Sequence, residues 1–359
     1  MDFINFALHK SALCYFMKKI LFIMNPISGT ISKAGIPEII EKTLDKKKFD
    51  YQIRLTEYAG HASEIAIDAK NNGYDIVVAI GGDGTVNEVA RALVHSQTAL
   101  GIIPCGSGNG LARHLMIPMN IKKSIEIINK AEIHDLDYGV INDYDFFCTC
   151  GMGFDALISM KFAESGKRGP ITYMENILSE WLKYEPETYE IEDESGKYKY
   201  QAFLISIANA SQYGNNAYIA PQASMSDGLM DVIIMEPFDI LEAGQMSFDL
   251  FNKTMDKNPH IKTFRCKQLH IHRSQPGVIH YDGDPVMTNQ DIDVKIEPSG
   301  IKVVVNPNAN KQQRRPNILQ NAFTDFFNNL HSVRTDITKT GKKVEVISKA
   351  IQRKLNSNF

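Results

Sequence analysis

Three runs of buried-strand character, each closed by a turn or glycine-rich loop and followed by a helix-like segment, constrain this chain more than any other feature. Residues 19–24 end at Asn25-Pro26, residues 75–80 end at Gly81-Gly82, and residues 99–103 end at Pro104-Cys105-Gly106. Alternation of such runs with helix-like segments (36–47, 62–71, 86–95 and 121–130) predicts a parallel sheet with crossover helices. Open α/β sheets bind ligands outside the carboxyl ends of their strands, where all three loops are delivered. After about residue 140 the pattern changes to short strand-like runs separated by Asp-Gly and Pro-Gly turns, at 201–208, 229–235, 267–271, 278–281, 292–296 and 301–305. Helical interruptions are expected at 171–182 and 240–255. The expected organisation is an α/β domain over 17–140, a β-rich domain over 141–305 and an extension over 306–359.

Composition narrows the class. A chain of 359 residues that is 43% hydrophobic can bury two cores. Its net charge of -3 argues against a surface adapted throughout to polyanions, so nucleic acid is not an expected partner. One basic region stands out: residues 311–359 carry ten Lys or Arg against three acidic residues. That tail suits anionic lipid head groups, and it equally suits a solvated surface. Five cysteines (Cys14, Cys105, Cys148, Cys150 and Cys266) have no metal-ligand spacing and read as reduced thiols of a cytoplasmic protein. No run reaches the roughly 18 to 20 apolar residues of a membrane span. Residues 1–16 lack the features of a signal peptide, and the folding unit is expected to begin at Met17.

The glycine loops carry the chemistry. Gly81-Gly82-Asp83-Gly84-Thr85-Val86-Asn87-Glu88 joins a strand to a helix, where glycines let backbone amides converge on an anion and the helix N-terminus adds its dipole. Asp83 would repel a phosphate unless a cation lay between them or the carboxylate accepted a proton. The plain alternative is a tight turn with an N-cap. Cys105-Gly106-Ser107-Gly108-Asn109-Gly110 gives a second wall of amides and hydroxyls, and Asn25-Pro26-Ile27-Ser28-Gly29 a third. The chain lacks the P-loop signature and the protein-kinase motifs, and Leu111 stands where a dinucleotide fingerprint needs a third small residue.

These loops, read as Asn25-Pro26-Ile27-Ser28-Gly29, Gly81 through Glu88, and Pro104 through Arg113, resemble the diacylglycerol kinase catalytic family of bacterial lipid kinases and sphingosine kinases. The resemblance covers about 17–305 and implies an N-terminal domain like those of NAD kinase and phosphofructokinase, with a C-terminal β-sandwich that helps form the lipid pocket. It implies ATP contacts from Asn25, Pro26, Ile27, Ser28, Gly29, Thr56, Gly81, Gly82, Asp83, Gly84, Thr85, Val86, Asn87 and Ser107. It implies a Mg²⁺ site from backbone oxygens of Ser224 and Leu229 with the Asp227 carboxylate, although Asp-Gly is also the commonest hairpin turn. Tyr281-Asp282-Gly283-Asp284 occupies the place of a family Asp-Gly-Glu whose Glu is the proposed base, so the base is Asp284 with a shorter reach, or Asp83. Asp155, after Gly151-Met152-Gly153, is implied in lipid binding and equally suits a helix cap.

The activity expected is ATP- and Mg²⁺-dependent phosphorylation of a lipid hydroxyl, on diacylglycerol or a sphingoid base. NAD kinase and a non-catalytic binding protein are the alternatives. The expected location is cytoplasmic, peripheral at the inner face of the membrane, and a homodimer is compatible with the sequence.

Overall fold

The computed structural model describes residues 17–27, 32–165, 180–181, 183–239 and 242–309. Residues 1–16, Ser28 and Gly29 of the Asn25 loop, most of the expected 171–182 helix and the 311–359 tail lie outside the described residues. The chain forms two compact units. The first gathers the described residues through Tyr138, the turn Met225–Gly228 and the residues from Glu297 onward; the second holds Gly139–Ser224 and Leu229–Ile296. The units therefore interleave in sequence, where a linear reading divides the chain once near residue 140.

The first unit follows from its apolar runs. Strands β1 (Lys18–Met24), β2 (Phe49–Leu55), β3 (Ile76–Gly81) and β4 (Ala99–Pro104) alternate with helices α1 (Ile36–Thr43), α2 (His61–Asn71), α3 (Asp83–Leu93), α4 (Gly110–His114) and α5 (Ile121–Lys130). The sheet order is β2-β1-β3-β4, all parallel, and every residue of β3 and β4 is buried. Continuous apolar runs of that kind belong to strands covered on both faces. Helix α1 is shorter than its periodic pattern because Leu44 turns to an extended conformation. Strand β2 escapes the sequence pattern because its exposed residues interrupt the apolar alternation.

The chain then continues through β5 (Ile133–Ile141), β6 (Tyr144–Phe146), β7 (Thr149–Gly153), helix α6 (Phe154–Ser165), β8 (Glu187–Asp193), β9 (Gly196–Ala202), β10 (Leu204–Ala208) and β11 (Met230–Met235). After helix α7 (Ala243–Asn252) come β12 (Ile261–Cys266), β13 (Gln268–Arg273), β14 (Gly277–Tyr281), β15 (Asp284–Thr288) and β16 (Asp291–Val304). In the second unit β12-β11-β10-β7-β14-β15 form an antiparallel sheet, while β13 pairs with β8 and with the start of β16. The two sheets enclose one core, with Ile205, Ile207, Val232 and Ile279 from the first and Tyr189, Ile271, Ile292 and Val294 from the second. The other face of the six-stranded sheet is apolar too, and carries Phe154, Phe203, Ile233 and Met246. This is the expected α/β plus β-sandwich class.

Two strands expected at 292–296 and 301–305 are one, β16. Its intervening Ser299 takes a positive φ of 52° and donates its N–H to Asp137, which lets the strand pass the irregularity without ending. Among the described residues no helix is long and apolar enough to cross a membrane. Four cysteines (Cys105, Cys148, Cys150 and Cys266) are free and buried, and burial raises the Cys266 thiol to about 12.

Arg273 fixes the open end of the β14–β15 hairpin. Only 2% exposed, its guanidinium donates to the carbonyls of Gly277 (2.6 Å), Val278 (3.2 Å), Thr288 (3.2 Å) and Asn289 (3.2 Å), and to Thr288 Oγ1 (2.8 Å). A buried cation is tolerated when most of its donors are used; here backbone carbonyls and Thr288 Oγ1 take both terminal nitrogens, while Nε has no partner among the described residues. Replacing Arg273 with Met is expected to strand several buried acceptors and to cost about 3 kcal/mol or more, read as a lower urea midpoint with an unchanged slope.

Candidate functional site

In the first unit the glycine loops meet at the carboxyl ends of β3 and β4. Gly81 pairs with Pro104, and Cys105 N–H donates to Gly81 O at 2.7 Å, so the loops leave the sheet side by side. They then touch backbone to backbone: a Cβ on Gly106 would lie 2.6 Å from Gly82 Cα. Glycine is required there by space, since φ at neither residue is positive.

Asp83 closes the junction. Its Oδ1 accepts the Gly110 N–H at 2.7 Å and its Oδ2 the Asn109 N–H at 2.8 Å. A Cβ on Gly108 would come within 2.8 Å of Oδ2. The sequence offered a cation or a proton as the reason for an acid here; the geometry supplies a third use, fastening the second loop to the first. Asn109 completes the turn in a left-handed conformation (φ 52°), bonding Gly106 through both ends of its amide. Arg113 donates to Gly108 O at 2.9 Å, and burial lowers its pKa from the usual arginine value with Asp83 opposing.

Asn25 links the third loop to the same place. Its side-chain amide reaches Thr85 Oγ1 at 3.4 Å, its N–H bonds Ile80 O, and its Oδ1 accepts the Ile27 N–H. Thr56 is buried and donates its N–H to Met24 O, placing it beside this loop. Pro26, Ile27, Gly84 and Ser107 are exposed, whereas Val86 and Asn87 are buried on α3. The cap residue of α3 is Gly82, and among the described residues no side-chain cap bond is made at this N-terminus. Uncapped amides at a helix start, beside glycines that admit close approach, form an anion cradle. Lys33, which no motif announces, is buried with its ammonium 2.6 Å from Asn25 O; burial lowers its pKa, with Cys105 opposing.

Asp137, also missed in the sequence, fastens the turn that bears Asp227. Its carboxylate accepts the N–H groups of Gly228 and Ser299, both at 2.8 Å, and its own N–H donates to Met225 O. Its signal was an acid at a buried position of an apolar run. Among the described residues no three His, Cys, Asp or Glu side chains gather as a metal-ligating group. The Mg²⁺ ligands expected from the sequence, the Asp227 carboxylate and the carbonyls of Ser224 and Leu229, are all oxygens, the ligand class that Mg²⁺ takes.

In the second unit the Asp282-Gly283 turn has φ of 52° and 89° between the paired residues Tyr281 and Asp284, a two-residue hairpin of the primed type. Asp282 accepts the N–H groups of Phe147 (2.8 Å), Cys148 (2.7 Å) and Thr149 (3.1 Å). That clamp leaves Asp284 as the exposed acid at the head of β15. Asp155 opens α6 and contacts His280 Nε2 at 3.1 Å and the Tyr213 hydroxyl at 3.2 Å.

Comparisons with known proteins agree with this architecture. The diacylglycerol kinase catalytic domain matches residues 19–141, and the YegS C-terminal NAD kinase beta sandwich-like domain matches 148–305. A probable lipid kinase YegS of Salmonella dublin is 27% identical over 264 residues, covering 72% of this chain and 87% of that protein. The Escherichia fergusonii protein of the same name matches equally. The crystal structure of a putative diacylglycerol kinase from Bacillus anthracis str. Sterne has the same fold, with a TM-score of 0.65 at 21% identity over 81% of this chain and 98% of that one.

Gly106→Ala is expected to force the loops apart. The measurement is ADP binding by calorimetry, with a loss of at least tenfold in affinity and a folded circular-dichroism spectrum; unchanged affinity would show that the cradle lies elsewhere.

Proposed function

The chain belongs to the diacylglycerol kinase catalytic domain family, and from that membership we propose that it transfers the γ-phosphoryl group of ATP to the primary hydroxyl of a membrane lipid, diacylglycerol-like or sphingoid. The observation that carries this reading is the Asp83 junction, which holds two glycine loops and an uncapped helix start in one amide-lined cradle. Phosphoryl transfer depends mainly on positioning and charge stabilisation, and fixed amides supply both. Mg²⁺, for which Asp227 with the carbonyls of Ser224 and Leu229 is the candidate ligand set, would supply charge neutralisation of the triphosphate.

The roles then divide. The amides about Gly82 to Thr85 and the exposed Ser107 orient the phosphates, and Asn25 with Thr56 borders the rest of the nucleotide. Asp83 is committed to two amides, so we assign the base to Asp284, which is exposed and set by the Asp282 clamp. It accepts the acceptor's hydroxyl proton as the new O–P bond forms and the bridging β–γ P–O bond breaks, releasing ADP. Work at a membrane surface on the cytoplasmic side, with tail 311–359 on anionic lipid, fits the tail's basic charge.

The test is transfer of label from γ-labelled ATP to a lipid panel and to NAD. Labelled lipid is expected, lost on chelating Mg²⁺. Asp284→Asn should lower kcat about 10² to 10⁴-fold, and Asp284→Glu should retain most of it. Labelled NADP, or no transfer at all, would overturn the reading.

A further inference from the structure

Strand β13 turns Leu269, Ile271 and Arg273 to the core of the second unit, so a cation stands where the alternation calls for a third apolar side chain. Its terminal nitrogens go to neutral oxygens only, and among the described residues it forms no ion pair. Burial lowers its pKa, and the groups that oppose this are Tyr189, Glu187 and Tyr184. A buried charge is costly unless a countercharge or a full set of polar partners meets it. Neither is complete here, because Nε has no partner.

Two phenols share that condition. Tyr189 of β8 is the direct partner of Arg273 in the β8–β13 ladder, and directly opposed residues send their side chains to the same face. It is fully buried, and its hydroxyl bonds nothing. The Tyr184 hydroxyl, also buried and unbonded, comes from the opposite sheet, 3.1 Å from where a Cβ on Gly153 would lie. Met152 pairs with Ile279, so the next residue, Gly153, lies beside Val278, whose carbonyl Arg273 Nη1 reaches at 3.2 Å. Burial raises the pKa of both phenols, with Arg273 opposing it, so both hydroxyls keep their protons at neutral pH. They are near enough to influence each other, yet neither completes a hydrogen bond to the other.

One N–H and two O–H donors therefore gather around a guanidinium that has no acid at its side. A water could meet those donors but would leave the cation without countercharge. A monatomic anion meets both needs. The three atoms are shut from solvent, which excludes a lipid head group whose chains must lie outside. We propose that Arg273 Nε and the hydroxyls of Tyr184 and Tyr189 form a buried site for a single chloride ion. The ion ties β8 and β13 to the open end of the β14–β15 hairpin that Arg273 fixes. The site is built from the second unit alone and does not depend on the lipid-kinase reading.

Diffraction from crystals of the full chain, grown with bromide in place of chloride and measured at the bromine absorption edge, tests it. An anomalous peak in contact with Nε and both hydroxyls is expected; a water there, or no peak, overturns the proposal. In solution the thermal midpoint, followed as chloride replaces gluconate at constant ionic strength, should rise and saturate, since a ligand of the folded state stabilises it. Tyr189→Phe keeps the ring and removes one donor, and should weaken the apparent chloride affinity by about tenfold or more. Tyr184→Phe should do the same, and stands in should the first variant not fold. A midpoint indifferent to the anion, or equally responsive in the variants, refutes the site. A bromide peak with no halide dependence in solution marks an adventitious ion only, and refutes it too.

Discussion

The two amide hydrogen bonds that Asp83 accepts from Asn109 and Gly110 are the constraint on which the first unit's loop cluster depends. Each loop alone is a strand-to-helix turn of a common kind. Joined, they place an uncapped helix start against a second backbone wall, and the glycines at 82 and 106 keep the gap narrow. Charge-assisted bonds of this sort are stronger than neutral ones, and they act on backbone, so they fix where main-chain donors point.

The same device recurs at the other motif turns. Asp137 accepts amides from Gly228 and Ser299, and Asp282 accepts three from Phe147 to Thr149. In each case an aspartate stitches a motif turn to a segment distant in sequence. The neighbouring acid in each motif, Asp227 or Asp284, is then the one placed by the stitch. A pair of acids in an Asp-Gly-Asp turn thus divides its labour: one is structural so that the other has a defined position.

Much of the fold was legible in the residues. Continuous apolar runs located β1, β3 and β4, and the Asp-Gly turns marked the β-rich half. Strands β8 and β12 were not read, because short runs that mix polar and apolar residues give weak alternation. Helix α6 was missed because Gly151-Met152-Gly153 looks like a turn, whereas it is the end of a buried strand. The site was legible as motifs and illegible as contacts. Nothing in the local sequence distinguishes Asp83, engaged with backbone, from Asp284, exposed on a strand; nor does it bring Lys33 to Asn25 or His280 to Asp155, since these pairings depend on register and on chain reversal.

The backbone contact between Gly82 and Gly106 has a consequence for how such a chain can change over generations. Because each residue's missing side chain is the space the other's main chain occupies, neither position can be explored alone; the smallest step, one methyl group, already requires the opposite loop to move. Most surface loops drift residue by residue. This one is constrained as a pair, so a side chain at either position has to be matched by a shift of the opposite backbone.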